Sequence, residues 1–214
     1  MTKEKFSAVT SGAEKVFSSN PVLVSGLVLG PVVMCASSLK NAAALSIAFA
    51  LIIIPVLLFA STAGRALPAP ARIPAYVLLA AAMLIPIEML VSYISPIIFD
   101  ALGIYLPLLA VNSVVVAYTG RAAEKEGPAA ALMDGVFFSL GFALAVGLLG
   151  LVREFLGSGS LWGVAVSDFK ASAALLPFSG FILLGFMAAA IQGIKGLVKK
   201  GRGVNSAGGK GDEA

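Results

Sequence analysis

Long apolar runs, separated by short polar or proline-containing stretches, dominate this chain. A membrane-spanning helix needs about 20 mainly apolar residues. Six runs are close to that length, at residues 21–38, 42–61, 74–92, 104–119, 133–152 and 173–194. The pattern predicts an all-α membrane protein with six transmembrane helices.

The polar ends of the chain lie outside these runs. Residues 1–20 predict a cytoplasmic N-terminal segment, and the Gly- and Lys-rich residues 195–214 predict a disordered cytoplasmic tail. Residues 21–194 form one predicted membrane domain. Two stretches within it predict loops: residues 62–72, which contain Pro68 and Pro70, and residues 153–170, which contain three glycines.

Prolines interrupt the first and the fourth predicted spans. Pro31 is followed by Cys35, and Pro107 is followed by Asn112 and Ser113. Broken helices occur at membrane depth only where they are buried in protein or line a cavity. Matching breaks in the two halves predict two inverted three-helix repeats, at about residues 21–98 and 99–194, with a site near the midplane.

Composition and charge agree with a membrane protein. The chain is 59% hydrophobic and 12% charged, whereas soluble domains have about 45–50% apolar and about 25% charged residues. If the N-terminus is cytoplasmic, twelve basic residues lie inside and three outside, which is the positive-inside pattern. The outside residues are Lys40, Arg153 and Lys170; the inside ones are Lys3, Lys5, Lys15, Arg65, Arg72, Arg121, Lys125, Lys195, Lys199, Lys200, Arg202 and Lys210. Basic residues placed between spans and in the tail do not indicate nucleic-acid binding.

Cys35 is the only cysteine, and the chain has no histidine. One interpretation is that Cys35 is a small buried core residue. The other is that its thiolate binds iron, because a broken helix supplies the positive end of a helix dipole. A cluster normally needs four ligands, so the others would come from a partner chain.

Glu88 is the only carboxylate deep inside a predicted span. A charge near the bilayer centre costs at least about 2.5–3.5 kcal/mol, so Glu88 faces a polar interior, has a partner or is protonated. It is a candidate ion or proton site, with Lys40 as the nearest basic residue. Alternatively, the span is shifted and Glu88 lies near the outer interface.

The remaining polar residues have structural interpretations. In one interpretation, Asn112 and Ser113 satisfy backbone groups freed by the break at Pro107; in the other, Ser113 is a direct ligand. Asp134-Gly135 opens the fifth span and Arg153-Glu154 closes it, as interface anchors and caps. The sequence has no phosphate-binding loop, nucleophile triad or histidine cluster, which argues against a stand-alone soluble-type enzyme.

Several segments resemble one family over residues 20–194. NSVVVAYTGRAAEKEGPAAALMDG, followed by VREFLGSGSLWG, is similar to the RnfE/NqrD family of membrane electron-transport subunits. LGPVVMCASSLKNA resembles the first broken helix of that family. RIPAYV and LLPFSGFILLGF resemble its RnfE branch.

The resemblance implies an integral membrane subunit of an Rnf-type ion-translocating ferredoxin:NAD oxidoreductase, not catalytic alone. It implies six helices in two inverted repeats, with both termini cytoplasmic, in a bacterial or archaeal cytoplasmic (inner) membrane. The expected partners are other Rnf subunits, above all a homologous sister of opposite topology. That pair shares a [2Fe–2S] centre, and electron flow is coupled to Na⁺ or H⁺. No flavin is expected on this chain.

Carried over by position, the first cysteine of the family is Cys35, and the second falls on Ser113. Serine oxygen suits iron less well than thiolate. The resemblance therefore leaves two hypotheses. Either Cys35 is a cluster ligand, Ser113 a doubtful one and Glu88 part of an ion path, or the chain is a divergent structural or transport-type subunit without the redox centre. A third possibility is a free-standing transporter that needs no partners.

Overall fold

The computed structural model describes residues 22–23, 26, 28–111, 113, 115–117, 119, 127–168 and 170–207, with side chains up to residue 193. The predicted N-terminal segment, residues 1–20, lies outside this part of the chain. The helices are α1 (Leu29–Cys35), α2 (Leu39–Ser61), α3 (Ala69–Ile94), α4 (Pro96–Leu102), α5 (Pro128–Ser158) and α6 (Pro177–Ala207). Short 3₁₀ turns lie at Ala63–Ala66, Gly103–Tyr105, Pro107–Leu109 and Ser172–Leu175, and strands β1 (Ser160–Leu161) and β2 (Val164–Ala165) form an antiparallel hairpin.

Three helices in the described part of the chain are long and apolar enough to cross a membrane: α2, α3 and α5. Two shorter apolar helical segments accompany them, Pro96–Tyr105 and Pro177–Gly193. The prediction of a helical membrane protein is confirmed at this level. The number six and the inverted repeat stay predictions.

Helices α2 and α5 form the centre of the core. Phe49 of α2 stacks on Phe142 of α5, with ring centroids 4.1 Å apart and an interplanar angle of 18°. Helix α3 lies at the periphery of the bundle. Only 17% of its most apolar stretch is buried, whereas 50% of the corresponding stretch of α5 is buried. An apolar helix with so much exposed surface has a face left for lipid or another subunit.

The first break has two parts, on either side of the predicted Gly30-Pro31: a bend at Gly26 and Val28, before α1, and a turn at residues 36–38, between α1 and α2. Gly26 and Val28 have positive φ angles, of 64° and 63°, and α1 then begins at Leu29. Pro31 therefore lies in the first turn of α1, where a helix needs no N–H donor. A short turn over residues 36–38 then connects α1 to α2, which begins at Leu39 rather than at the predicted residue 42.

The second break lies at the predicted place. The chain passes through 3₁₀ turns at Gly103–Tyr105 and Pro107–Leu109, and positions 113, 115–117 and 119 are helical. Two interrupted segments are thus present, one before α2 and one before α5.

Two predicted boundaries around α5 were wrong. The predicted loop 153–170 begins later, because α5 continues to Ser158 and ends at Gly159 in the left-handed region, with φ 66°. Asp134-Gly135 does not open this helix, which starts at Pro128. Gly135 instead packs against α2, where an added Cβ would lie 3.3 Å from Ile54.

Other helix ends also differ from the predictions. Helix α3 starts at Ala69, inside the predicted loop 62–72, because Pro70 falls in its first turn, where no N–H donor is needed. Helix α6 starts at Pro177 rather than residue 173, after a 3₁₀ turn. It continues to Ala207, where the sequence predicted a disordered tail from residue 195.

Gly150 sets the closest approach of α5 to the start of α2. A Cβ at this position would lie 2.9 Å from the Ala42 Cβ and 3.0 Å from the Ser38 backbone oxygen. We expect Gly150→Ala to lower the free energy of unfolding by about 1–3 kcal/mol, the usual cost of overpacking, as measured by thermal unfolding in detergent.

Gly147 is the matched control, because it lies one turn earlier in α5 and an added Cβ there meets nothing within 4 Å. Gly147→Ala should leave stability unchanged or raise it by up to about 1 kcal/mol, since alanine favours helix. Equal effects of the two substitutions would contradict this packing.

Candidate functional site

Two adjacent charged residues at the end of α5 organise the first break. The side chains of Arg153 and Glu154 are only 1% and 3% exposed. Successive positions on a helix point about 100° apart, because the helix has 3.6 residues per turn. The two side chains therefore reach different elements.

Arg153 binds carbonyl groups of two separate segments. Its Nη1 donates to Val33 O and, over 3.0 Å, to Ala36 O, at the C-terminal end of α1. Its other nitrogens bind the turn before α6: Nε donates to Ala174 O (3.1 Å), and Nη2 donates to Leu175 O (2.6 Å) and Leu176 O (3.4 Å). These five bonds match the five N–H donors of a guanidinium.

Arg153 thus acts as a C-terminal cap for a helix other than its own. The last carbonyls of a helix lack partners within the helix, and a cation there interacts favourably with the helix dipole. Gly180 of α6 leaves room for this contact, since an added Cβ would lie 3.3 Å from the Arg153 Nη1 and 2.8 Å from Val33. The guanidinium therefore ties α1 to the entrance of α6.

Glu154 caps the opposite side of the same break. Its Oε2 accepts a hydrogen bond from the Leu39 N–H, over 2.7 Å, at the first turn of α2. Its Oε1 accepts from the Gly163 N–H (2.7 Å) and the Ser160 hydroxyl (3.2 Å) of the β-hairpin. Ser38 completes the cap by accepting from the Asn41 N–H over 3.2 Å. A carboxylate at a helix N-terminus is the favourable sign of charge.

We call Arg153 and Glu154 together the clamp. It fixes the end of α1 and the start of α2, on either side of the turn at residues 36–38. Arg153-Glu154 was predicted to cap the fifth span itself; that prediction was wrong, because the clamp caps α1 and α2. The sequence does contain a signal for this buried clamp: an arginine and a glutamate stand side by side at the end of an apolar run, and charges that are buried need partners.

Cys35 is the last residue of α1 and lies inside the core. Its side chain is 1% exposed, and its Sγ donates to the Leu102 carbonyl oxygen over 3.8 Å. Leu102 ends α4, directly before the second break, and with Leu106 and Leu109 it is fully buried. The two broken segments therefore meet at Cys35, in apolar surroundings.

The other predicted site residues do not join Cys35. Ser113 is helical and exposed, and Asn112 lies outside the described residues. Glu88 is half-buried in α3, six residues before its end at Ile94. In the described part of the chain, Glu88 has no hydrogen bond or ion pair. The suggested pairing with Lys40 is not seen: the Lys40 ammonium lies beside Gly163, 2.9 Å from where a Cβ would be.

A buried clamp at the junction of two broken apolar segments, beside three long apolar helices, defines a polytopic α-helical membrane protein. Comparison with protein families then identifies the family of membrane proteins to which the chain belongs. The family model described as "Rnf-Nqr subunit, membrane protein" matches residues 9–198. The chain belongs to this family, as its motifs predicted.

Bacterial relatives match over nearly their whole length. The chain is 32% identical over 203 residues to the E-type subunit of the ion-translocating oxidoreductase complex of Escherichia coli O7:K1, covering 87% of this chain and 88% of the relative. It is 29% identical over 180 residues to the E-type subunit of the proton-translocating ferredoxin:NAD(+) oxidoreductase complex of Clostridium ljungdahlii, covering 83% and 84%. The E-type subunit of the ion-translocating oxidoreductase complex of Shewanella oneidensis is 30% identical over 190 residues, covering 81% and 82%.

Proposed function

We propose that this chain is the E-type membrane subunit of an Rnf-type ion-translocating ferredoxin:NAD oxidoreductase. The observation that carries the proposal is the match to E-type subunits of such complexes, over 87% of this chain and 88% of the relative in Escherichia coli. A match over most of both chains supports the same place in a complex. The chain then works together with other Rnf subunits and is not catalytic by itself.

The expected topology supports a paired subunit. We propose two inverted three-helix repeats with both termini cytoplasmic. The order of elements supports this proposal, since one interrupted segment precedes α2 and α3 and another precedes α5 and α6. Lys40 lies beside Gly163, whose N–H binds Glu154, the residue after Arg153. Two of the three basic residues expected outside therefore belong to the same end of the bundle. A homologous sister of opposite topology is the expected neighbour.

A [2Fe–2S] centre, which the resemblance implies, is poorly matched by the described residues of this chain. A cluster normally takes four cysteine ligands, and this chain has one cysteine. The Cys35 sulfur is buried and directed at the Leu102 carbonyl, while Ser113 is exposed. The described residues hold no group of three or more potential metal ligands. The proposed role therefore includes no step through a cluster.

The chain's own residues support a scaffolding role in the membrane. The clamp holds the break before α2, and Cys35 packs the first break against the second. We further propose Glu88 as a group on the path of Na⁺ or H⁺, because a half-buried carboxylate within an apolar helix needs a cation, a proton or a polar neighbour.

Membrane vesicles test the assignment to the complex. In inverted vesicles from cells lacking this chain, ferredoxin-dependent NAD⁺ reduction should fall to background, and expression of the chain should restore it. The same activity without the chain would contradict the assignment.

A second proposal keeps the redox centre. It is favoured by one observation: Cys35 lies where the two broken segments meet, so a sister subunit could supply the missing thiolates there. Iron content separates the two proposals. Without a centre, the purified sister pair holds no stoichiometric iron, and Cys35→Ser leaves vesicle activity unchanged. Stoichiometric iron that is lost in Cys35→Ser and retained more firmly in Ser113→Cys would overturn the scaffolding proposal.

A further inference from the structure

A cleft lined by both polar and apolar residues lies at the end of the bundle that carries the clamp. It has a volume of about 610 Å³ and lies between the start of α2, the hairpin and α4. Its lining includes Ser37, Lys40 and Asn41 around the start of α2, and Glu154 and Ser160 at the end of α5 and in the hairpin. The cleft is open to the surroundings and contains both charged and hydroxyl groups.

Lys40 is the charge that a ligand in this cleft would meet. Both oxygens of Glu154 accept hydrogen bonds, from the Leu39 and Gly163 N–H groups and the Ser160 hydroxyl. The exposed Lys40 ammonium, in contrast, has no hydrogen bond or ion pair within the described ranges. Glu154 already caps the start of α2, so the Lys40 ammonium is the charged group of the lining that is left for a ligand. The cleft therefore favours an anionic group.

An apolar groove continues from the cleft along the bundle. Ala44, Ile47 and Leu51 of α2 line one side, and Ile87 and Ile94 of α3 line the other. Ile98 of α4 lines both the groove and the cleft, so the two adjoin at this residue. The stretch of α2 from Ala44 to Leu51 spans about 10 Å along the helix axis.

We propose that the joined cleft and groove bind one anionic phospholipid from the leaflet beside Lys40. Its phosphate lies in the cleft, near the Lys40 ammonium and the hydroxyl of Ser37. One acyl chain lies along the groove between α2 and α3. This arrangement matches a phospholipid, because the charged headgroup would occupy the cleft and the attached acyl chain would occupy the neighbouring apolar groove. The proposal requires only that the chain is embedded in a membrane.

The test compares lipid binding to the full-length chain, purified in mild detergent, by native mass spectrometry. The probes are phosphatidylglycerol, phosphatidylcholine with the same acyl chains, and inorganic phosphate. Phosphatidylglycerol should bind about fivefold more tightly than phosphatidylcholine, since one basic residue near an anionic lipid contributes about that factor. Lys40→Gln should remove the preference. Lys170→Gln, at an exposed lysine outside the cleft, should keep it.

A second pair of variants tests the groove. Ile47→Trp fills it and should weaken binding of both lipids about tenfold, since several buried methylenes are displaced. Ile85→Trp is the control, because Ile85 is 63% exposed, like Ile47 at 61%, and lies outside the groove.

Three results would overturn the proposal. The first is equal binding of the two lipids to the unmodified chain. The second is inorganic phosphate competing as well as the lipid, which would make the cleft a simple anion site. The third is an Ile47→Trp variant that loses a partner protein while keeping its lipid, which would make the groove an interface between proteins.

Discussion

Replacing Arg153 by methionine is expected to lower the free energy of unfolding by about 3 kcal/mol. Methionine fills similar volume but leaves five carbonyl contacts without a donor, at the end of α1 and before α6. In a chain of this size, a loss of that magnitude lowers the melting temperature by about 6–12 °C. Thermal unfolding in detergent measures it.

Two further variants make the Arg153 prediction specific. Arg153→Lys should restore only part of the loss, because an ammonium is a compact charge that cannot serve both sets of carbonyls at once. Arg72→Met is the matched control: among the described residues Arg72 makes one hydrogen bond, from Nε to Leu67 O over 3.1 Å, so its loss should cost about 1 kcal/mol. Equal costs for Arg153→Met and Arg72→Met would contradict the clamp.

Glu154→Ala is expected to cost about 2–3 kcal/mol of stability. The substitution leaves the Leu39 and Gly163 N–H groups without an acceptor. Glu154→Gln should cost about half as much, since the amide keeps one acceptor oxygen and turns a donor toward the other N–H. Both variants should release the hairpin that Glu154 holds.

Trp162 reports on that hairpin directly. It is the only tryptophan, it is 52% exposed, and it precedes Gly163, whose N–H binds Glu154. Its fluorescence should change in both Glu154 variants at temperatures below unfolding. Asp168→Asn, at an exposed residue of the same loop, is the control. An unchanged Trp162 signal in Glu154→Ala would show that the carboxylate does not hold the hairpin.

The long apolar helices were predictable because burial in lipid requires about 20 apolar residues in a row. Breaks near Pro31 and Pro107 were also predicted, although proline alone does not mark a break, since Pro55, Pro74 and Pro86 lie inside the long helices α2 and α3. Helix ends were less predictable. Proline in a first turn, as at Pro70, starts a helix as readily as it ends one, and the composition alone does not distinguish these roles.

The roles of Arg153 and Glu154 required the tertiary structure. Their sequence position at the end of an apolar run fits an interface anchor as well as a buried cap. Their partners include backbone groups more than a hundred residues away, such as Leu39, at a separation of 115 positions. Backbone N–H and carbonyl groups are the same in nearly every residue, so no sequence pattern marks them.

The proteins that purify with this chain test the central claim most directly. A tagged full-length chain should be extracted from its own membranes in mild detergent, and the proteins bound to it should be identified by mass spectrometry. Membership of an Rnf-type complex predicts a homologous membrane subunit together with flavin-carrying and ferredoxin-like subunits, in fixed ratios. Recovery of the chain alone, from membranes in which those other subunits remain assembled with one another, would contradict it.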